Sequence, residues 1–315
     1  MNRREFLMAS AAAATGLAGC ATAGGSDGCS GKAACGAKAC GGKAKILFGA
    51  CAGLKNAPIL KAHGYDFIET SCAAAFIPTK PDEEWKKQKD VILGCGLPLR
   101  SCNGFLPGTF RLTGPNADFA PALDYAEKVL RRAEEVGTKT IVFGSGGARN
   151  VPGDICGPRE QAPKPEKGVE QYTEFCKLLC KRVEDLKTVQ VVIEPLRPNE
   201  SNIINFVWQG MQIVREVNHP RLQELADIFH MICGKESAAS LVDAGCHLKH
   251  CHIACKETRQ FPGTRPDDAE IFRPYFEALK QIGYTGGVSC ECGWPKGAEY
   301  EKALDTALAL MKSLA

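Results

Sequence analysis

Four short stretches of the chain end on side chains that can do chemistry. Val191-Val192-Ile193-Glu194 closes on a carboxylate and Leu225-Ala226-Asp227 delivers a second. His250-Cys251-His252-Ile253 carries histidine, and Ser289-Cys290-Glu291 a third carboxylate. A carboxylate at the end of an apolar run is costly to bury unless it is paired, hydrogen-bonded or metal-bound. Three carboxylates and an imidazole brought to one place repel one another unless a cation sits among them. An oxygen-rich set with one histidine suits Mn²⁺ or Mg²⁺, with Co²⁺ and Zn²⁺ within its range. Any one of these residues alone would read as a solvated or salt-bridged side chain; four on successive apolar runs point to one divalent-metal site.

Something must bring those four ends together. From Lys45 onward, short apolar runs alternate with longer stretches of helical periodicity. The runs are Ile46–Ala50, Phe67–Thr70, Leu97–Cys102, Thr140–Gly144, Val189–Glu194, Leu225–His230, Leu248–Ile253 and Gly287–Glu291. Between or after them lie helical patterns at Ala122–Val136, Gly168–Leu186, Ile204–Asn218, Ala238–Ala244, Ile271–Ile282 and Tyr300–Leu314, the first with Leu123, Ala126, Val129, Leu130 and Ala133 on one stripe. Strands alternating with helices predict a parallel sheet covered by helices. Eight such units over residues 45–315 predict an α/β fold, a single-domain (β/α)8 TIM barrel, whose chemistry sits at the C-terminal ends of the strands. An open doubly wound sheet is the alternative, but no GxGxxG follows the first strand. Gly144-Ser145-Gly146-Gly147-Ala148 is read as a tight βα loop.

The 315 residues are 44% hydrophobic and 24% charged, ordinary for a globular chain. The net charge of +3 is uneven: residues 1–45 hold six basic side chains against two acidic ones, so the remainder is close to neutral. Without a basic stripe, nucleic-acid binding by the folded part is excluded. Seventeen cysteines, irregularly spaced and mostly inside apolar runs, read as small buried hydrophobes. The opening residues Arg3-Arg4-Glu5-Phe6-Leu7, followed by a small apolar run, resemble a twin-arginine signal. Leu17-Ala18-Gly19-Cys20 resembles a lipobox and implies lipidation at Cys20, hence a membrane anchor in the cell envelope or periplasm. Residues 1–19 are thus expected to be a signal peptide. Residues 20–44, with Cys29, Cys35 and Cys40, are expected to be a flexible Gly/Ala-rich linker.

The motifs together resemble the xylose-isomerase-like barrel superfamily, specifically its sugar isomerase/epimerase branch with ketose 3-epimerases and hydroxypyruvate isomerases. Glu194-Pro195-Leu196-Arg197-Pro198-Asn199-Glu200 is similar to the strand-five motif, Asp227-Ile228-Phe229-His230 to that of strand six, His250-Cys251-His252 to strand seven and Ser289-Cys290-Glu291 to strand eight. The resemblance implies Glu194, Asp227, His252 and Glu291 as metal ligands. It also implies Glu194 and Glu291 as the proton-transfer pair, and Glu200, His230 and Arg259 as substrate contacts. Arg259 stands one residue out of the family's register. His250 is expected to pack or to support a ligand, and Phe105 and Trp294 are candidates for stacking on a sugar ring. The implied reaction is proton abstraction beside a sugar carbonyl through a metal-stabilised enediolate, giving isomerisation or epimerisation of a small carbohydrate. An exported 3-keto-glycoside lyase or hydrolase, or a non-catalytic lipid-anchored sugar-binding protein, are the alternatives. A nuclease of the endonuclease IV type would need further ligands from early strands, where His63 is the only histidine. Homo-oligomers are common for this resemblance, and nothing in the chain demands one.

Overall fold

In a computed structural model, residues 45–152, 165–295 and 299–315 are described; the expected signal, Cys20 and the linker cysteines lie outside them. Eight strands alternate with helices. They are β1 (Leu47–Cys51), β2 (Phe67–Ser71), β3 (Leu99–Asn103), β4 (Thr140–Phe143), β5 (Gln190–Ile193), β6 (Leu222–Asp227), β7 (Leu248–Ile253) and β8 (Gly287–Cys290). All neighbours pair parallel in chain order, and β1 closes on β8, making the expected barrel. Parallel pairing requires a crossover between successive strands, and the intervening helices supply it.

Most of the core lies between strands and helices. Helix Ala120–Val136 turns Ala122, Leu123, Ala126, Val129, Leu130 and Ala133 inward and stops at Gly137, whose left-handed backbone sends its N–H to the Ala133 and Glu134 carbonyls. Inside the barrel the lining is two-sided. Val142, Val192 and Leu225 form an apolar cluster from β4, β5 and β6. On the other side Phe67 fills the lumen, and Gly49 and Gly287 leave the room it needs; a Cβ at Gly49 would land on its ring. Above Phe67 the same side is polar, with Glu69, Ser101, His250, His252 and Ser289 all fully buried.

The sixth strand starts at Leu222 and ends at Asp227, where the sequence predicts Leu225–His230. Asp227 cuts that apolar run, because its carboxylate accepts the Phe229 and His230 N–H groups and starts helix Ile228–Cys233. The glycine-rich segment after β4 is a short helical turn, Gly146–Arg149, where a loop is predicted. Its Arg149 is fully buried, bonded to the Phe143 and Ile204 carbonyls and to Ser201 Oγ. The twelve cysteines among the described residues are free thiols and seven are buried, as small hydrophobes would be. No helix among the described residues is long and apolar enough to cross a membrane.

Candidate active site

The C-terminal ends of β5 to β8 place Glu194, Asp227, His252 and Glu291 around one point, with a ligand atom from each within 4.8 Å of all the others. Glu194 and Asp227 are buried and His252 fully so, whereas Glu291 keeps 21% of its side chain exposed. His252 Nδ1 lies 3.1 Å from Glu194 Oε1 and 3.7 Å from Glu291 Oε2. Asp227 spends Oδ1 on the helix it caps, with Phe229 N at 2.7 Å, which fixes the carboxylate. Its Oδ2 lies 3.3 Å from His230 Nε2. Gly144, just past β4, gives Glu194 its space, since a Cβ there would overlap the carboxylate.

Glu291 is held from both sides: Asn103 Nδ2 donates to Oε1 at 3.0 Å and Arg259 Nη2 to Oε2 at 2.7 Å. Arg259 Nη1 also reaches Glu200 Oε1 at 3.1 Å, and Arg197 Nε binds the same oxygen at 2.7 Å. Both guanidinium groups lie over the Phe229 ring, at 4.8 and 4.9 Å. Arg259 reaches its two partners from a left-handed backbone (φ 49°), clamped by its N–H to the Cys255 carbonyl and its own carbonyl to Gly293 N. The Glu200 segment is tied down by Asn150 Nδ2 to the Glu200 carbonyl at 3.3 Å and Asn202 Nδ2 to the Val151 carbonyl at 2.8 Å. His230 is buried with neither ring nitrogen hydrogen-bonded among the described residues, its Nε2 3.9 Å from Glu200 Oε2.

Burial pushes the Glu291 carboxyl up, and Glu194 and Asp227 add to this against the opposing His252 and Arg259. Burial lowers the His252 imidazolium, but Glu69 and Glu291 outweigh it and raise its pKa well above the usual range. The donor set fits a divalent cation. Three carboxylates converge with one imidazole, and among the described residues the ion-pair partners of Glu194 and Asp227 are imidazoles only. Such a set of hard oxygens with one nitrogen suits a single divalent ion. Cys51, Glu69 and His252 also bring ligand atoms within 4.8 Å of one another. There, however, both Glu69 oxygens are already engaged, Oε2 by Ser101 and His250 and Oε1 by His252.

The two expected stacking residues already make ring contacts within the protein. Phe105 is fully buried, edge-on to Phe143 at 5.2 Å. Trp294, half-buried, stacks on Tyr300 at 4.5 Å and donates Nε1 to the Cys51 carbonyl at 2.7 Å. Glu69, Asn103 and Ser101 stand in the polar layer without having been singled out from the sequence. Glu69 carried a readable signal, an acid inside the apolar run Phe67-Ile68-Glu69.

Comparison with known proteins bears on the same elements. Over 198 residues the chain is 29% identical to a probable ketose 3-epimerase of Synechocystis sp., a match spanning 62% of this chain and 64% of that one. The chain thus covers slightly less than two thirds of that relative's length. It is 28% identical over 234 residues to the D-psicose 3-epimerase of Ruminiclostridium cellulolyticum, covering 72% and 74% of the two chains. Among solved structures, D-psicose 3-epimerase from Clostridium cellulolyticum H10 superposes with a TM-score of 0.69 at 20% identity, over 85% of this chain and 98% of that one. The 3-keto-D-glucoside 4-epimerase of E. coli gives 0.68 at 21%, over 85% and 100%. At those identities the superpositions speak for the fold. The profile of the xylose isomerase-like TIM barrel matches residues 58–314. Because that match runs from the first helix of the barrel to the last, the chain belongs to the xylose isomerase-like TIM barrel family.

Proposed function

We propose that this chain is a divalent-metal-dependent sugar epimerase of the ketose 3-epimerase kind. The observation that carries the reading is the convergence of Glu194, Asp227, His252 and Glu291 at one barrel mouth. The two sequence relatives named as ketose and D-psicose 3-epimerases support it. A divalent ion held by the four side chains supplies a Lewis acid for the substrate carbonyl and for the negative charge that develops beside it.

The chain's own groups do the rest. Glu194 and Glu291 enter the mouth from β5 and β8, so a C–H bond lying between them loses its proton to one carboxylate. The electron pair of that bond forms the C=C of the enediolate as the carbonyl π pair moves onto oxygen, and a proton delivered to the opposite face by the other group, in its carboxylic-acid form, restores the carbonyl and inverts the carbon. Positioned acid–base groups of this kind supply about 10²–10⁴-fold each. Glu200, His230 and Arg259 border the same space and have polar atoms for substrate hydroxyls. The unbonded ring nitrogens of His230 are the clearest of these. Export through the twin-arginine route and a lipid anchor at Cys20 belong to the same proposal and are supported by the sequence of residues 1–44 alone. Intact-mass measurement of the membrane fraction tests them.

The test is solvent-isotope incorporation. The Mn²⁺-loaded protein is incubated in heavy water with D-psicose, D-fructose, D-tagatose, L-ribulose and a 3-keto-glucoside. A C3-deuterated epimer should appear from at least one ketose, vanish with chelator, and fall by at least 10²-fold in Glu291→Gln. Stoichiometric metal with no exchange into any of these sugars refutes the reading.

A further inference from the structure

We infer that Glu69 is the positioning residue of the metal centre: it grips His252 at Nε2 and so presents Nδ1 to Glu194, Asp227 and Glu291. This rests on the proposed function. Glu69 sits on β2, on the far side of the lumen from the end of β6, and is fully buried. Its Oε1 lies 2.9 Å from His252 Nε2. Its Oε2 lies 2.8 Å from His250 Nε2 and accepts Ser101 Oγ at 2.7 Å.

The ion-pair partners of Glu69 among the described residues are these two imidazoles. A carboxylate placed here therefore has one evident task, which is to orient rings. A ligating histidine ordinarily donates its second ring N–H to such a partner, which fixes both tautomer and ring plane.

The backbone shows how the arrangement is made. Between β2 and β3 the register jumps, Ile68 facing Leu99 and Glu69 facing Ser101, so Arg100 is passed over. A second jump passes over Lys249 between Leu248 and His250 on β7. Irregularities of this kind re-aim side chains near sites. Here they set Ser101 level with Glu69 on one side of the lumen and His250 and His252 facing it from the other. His250 Nδ1 has no hydrogen-bond partner among the described residues, so Glu69 is the polar anchor of His250 as well. In this arrangement His250 and Ser101 fix the plane of the carboxylate, and the carboxylate fixes His252.

The test uses the full chain and metal binding itself. Free Mn²⁺ is followed by electron paramagnetic resonance during titration of wild type, Glu69→Gln and Glu69→Asp, and the visible spectrum of each Co²⁺ form is recorded. Glu69→Gln should bind Mn²⁺ about 10–100-fold more weakly, with a changed Co²⁺ spectrum, and Glu69→Asp should recover part of the loss. Glu69→Gln binding within twofold of wild type, with an unchanged Co²⁺ spectrum, overturns the inference while leaving the epimerase reading intact. A wild type that binds no Mn²⁺ overturns both. Should the variants fail to fold, long-range ¹H–¹⁵N spectra of the Mg²⁺-loaded wild type decide. His252 protonated at Nε2 is expected, and protonation at Nδ1 instead overturns the inference.

Discussion

Gly144→Ala is expected to disable the site while sparing the fold. The residue follows β4, and its backbone lies outside the left-handed region, so a methyl group brings no backbone strain. What the methyl meets is Glu194: a Cβ there would overlap Oε2 and stand 3.2 Å from Cδ. Ordinary contact is at roughly 3.5 Å, so the carboxylate oxygen must retreat by about 1 Å. Glu194 has three rotatable bonds and can make that move cheaply. The same movement breaks its 3.1 Å approach to His252 Nδ1 and opens the four-residue cluster. A misplacement of about 1 Å at a reacting group costs on the order of 10²-fold, or about 2.7 kcal/mol of barrier. The assay is kcat/KM for ketose epimerisation beside Mn²⁺ affinity and the thermal midpoint. Both functional readings should fall together while the midpoint stays near wild type; Gly→Ala at a compatible site even adds about 0.4–1 kcal/mol. Wild-type kcat/KM and affinity in Gly144→Ala would refute the reasoning.

Glu224 on β6 is fully buried with neither oxygen hydrogen-bonded among the described residues, and burial, with Glu236 nearby, pushes its carboxyl well up. A raised folded pKa means its contribution to stability is present below about pH 4.3 and is lost as pH rises through the folded value, by up to about 1.4 kcal/mol per pH unit. Glu224→Gln should therefore match wild type near pH 4 in urea unfolding and gain on it steadily towards pH 8; parallel profiles would count against this. Within the lumen, Gly49→Ala should destabilise by about 1–3 kcal/mol because the new methyl meets the Phe67 ring. Phe67→Leu should relieve that clash, so denaturant melts of the double variant must show a favourable coupling; simple additivity would dissociate the two residues.

Much of this was legible because a buried acid at the end of an apolar run is rare enough to be informative. Glu194, Asp227 and Glu291 each announced themselves that way, and parallel strands then had to bring their ends to one rim. Where the reading slipped, the reason is local. Gln223 and Glu224 broke the apolar pattern that would have marked the start of β6, because the lumen and the helix Val207–Val217 bury polar side chains there. A Cβ at Gly210 of that helix would land on the Glu224 carboxylate, a close approach that periodicity does not reveal. Glu69 carried the same signature as Glu194, yet its partners stand 32, 181 and 183 residues away, and only closure of the barrel reveals them. The left-handed turn at Arg259 left no trace in composition. Phe105 lies at a strand end as expected, but the neighbouring Phe143 draws it into the core rather than the mouth.

The bond between Glu69 and His252 also bears on how the molecule comes together. It joins strands 183 residues apart, so the chain must close a very long loop before that contact returns any free energy. The first strands can associate without creating a metal site, because the candidate ligands arrive with the fifth to eighth strands, Glu291 last of all. A half-assembled barrel therefore has no oriented His252 to offer. On the proposed metal site, metal capture would mark the last topological event in folding, and an ion binding only the closed form would act as a latch on the ring of strands rather than as a seed for it.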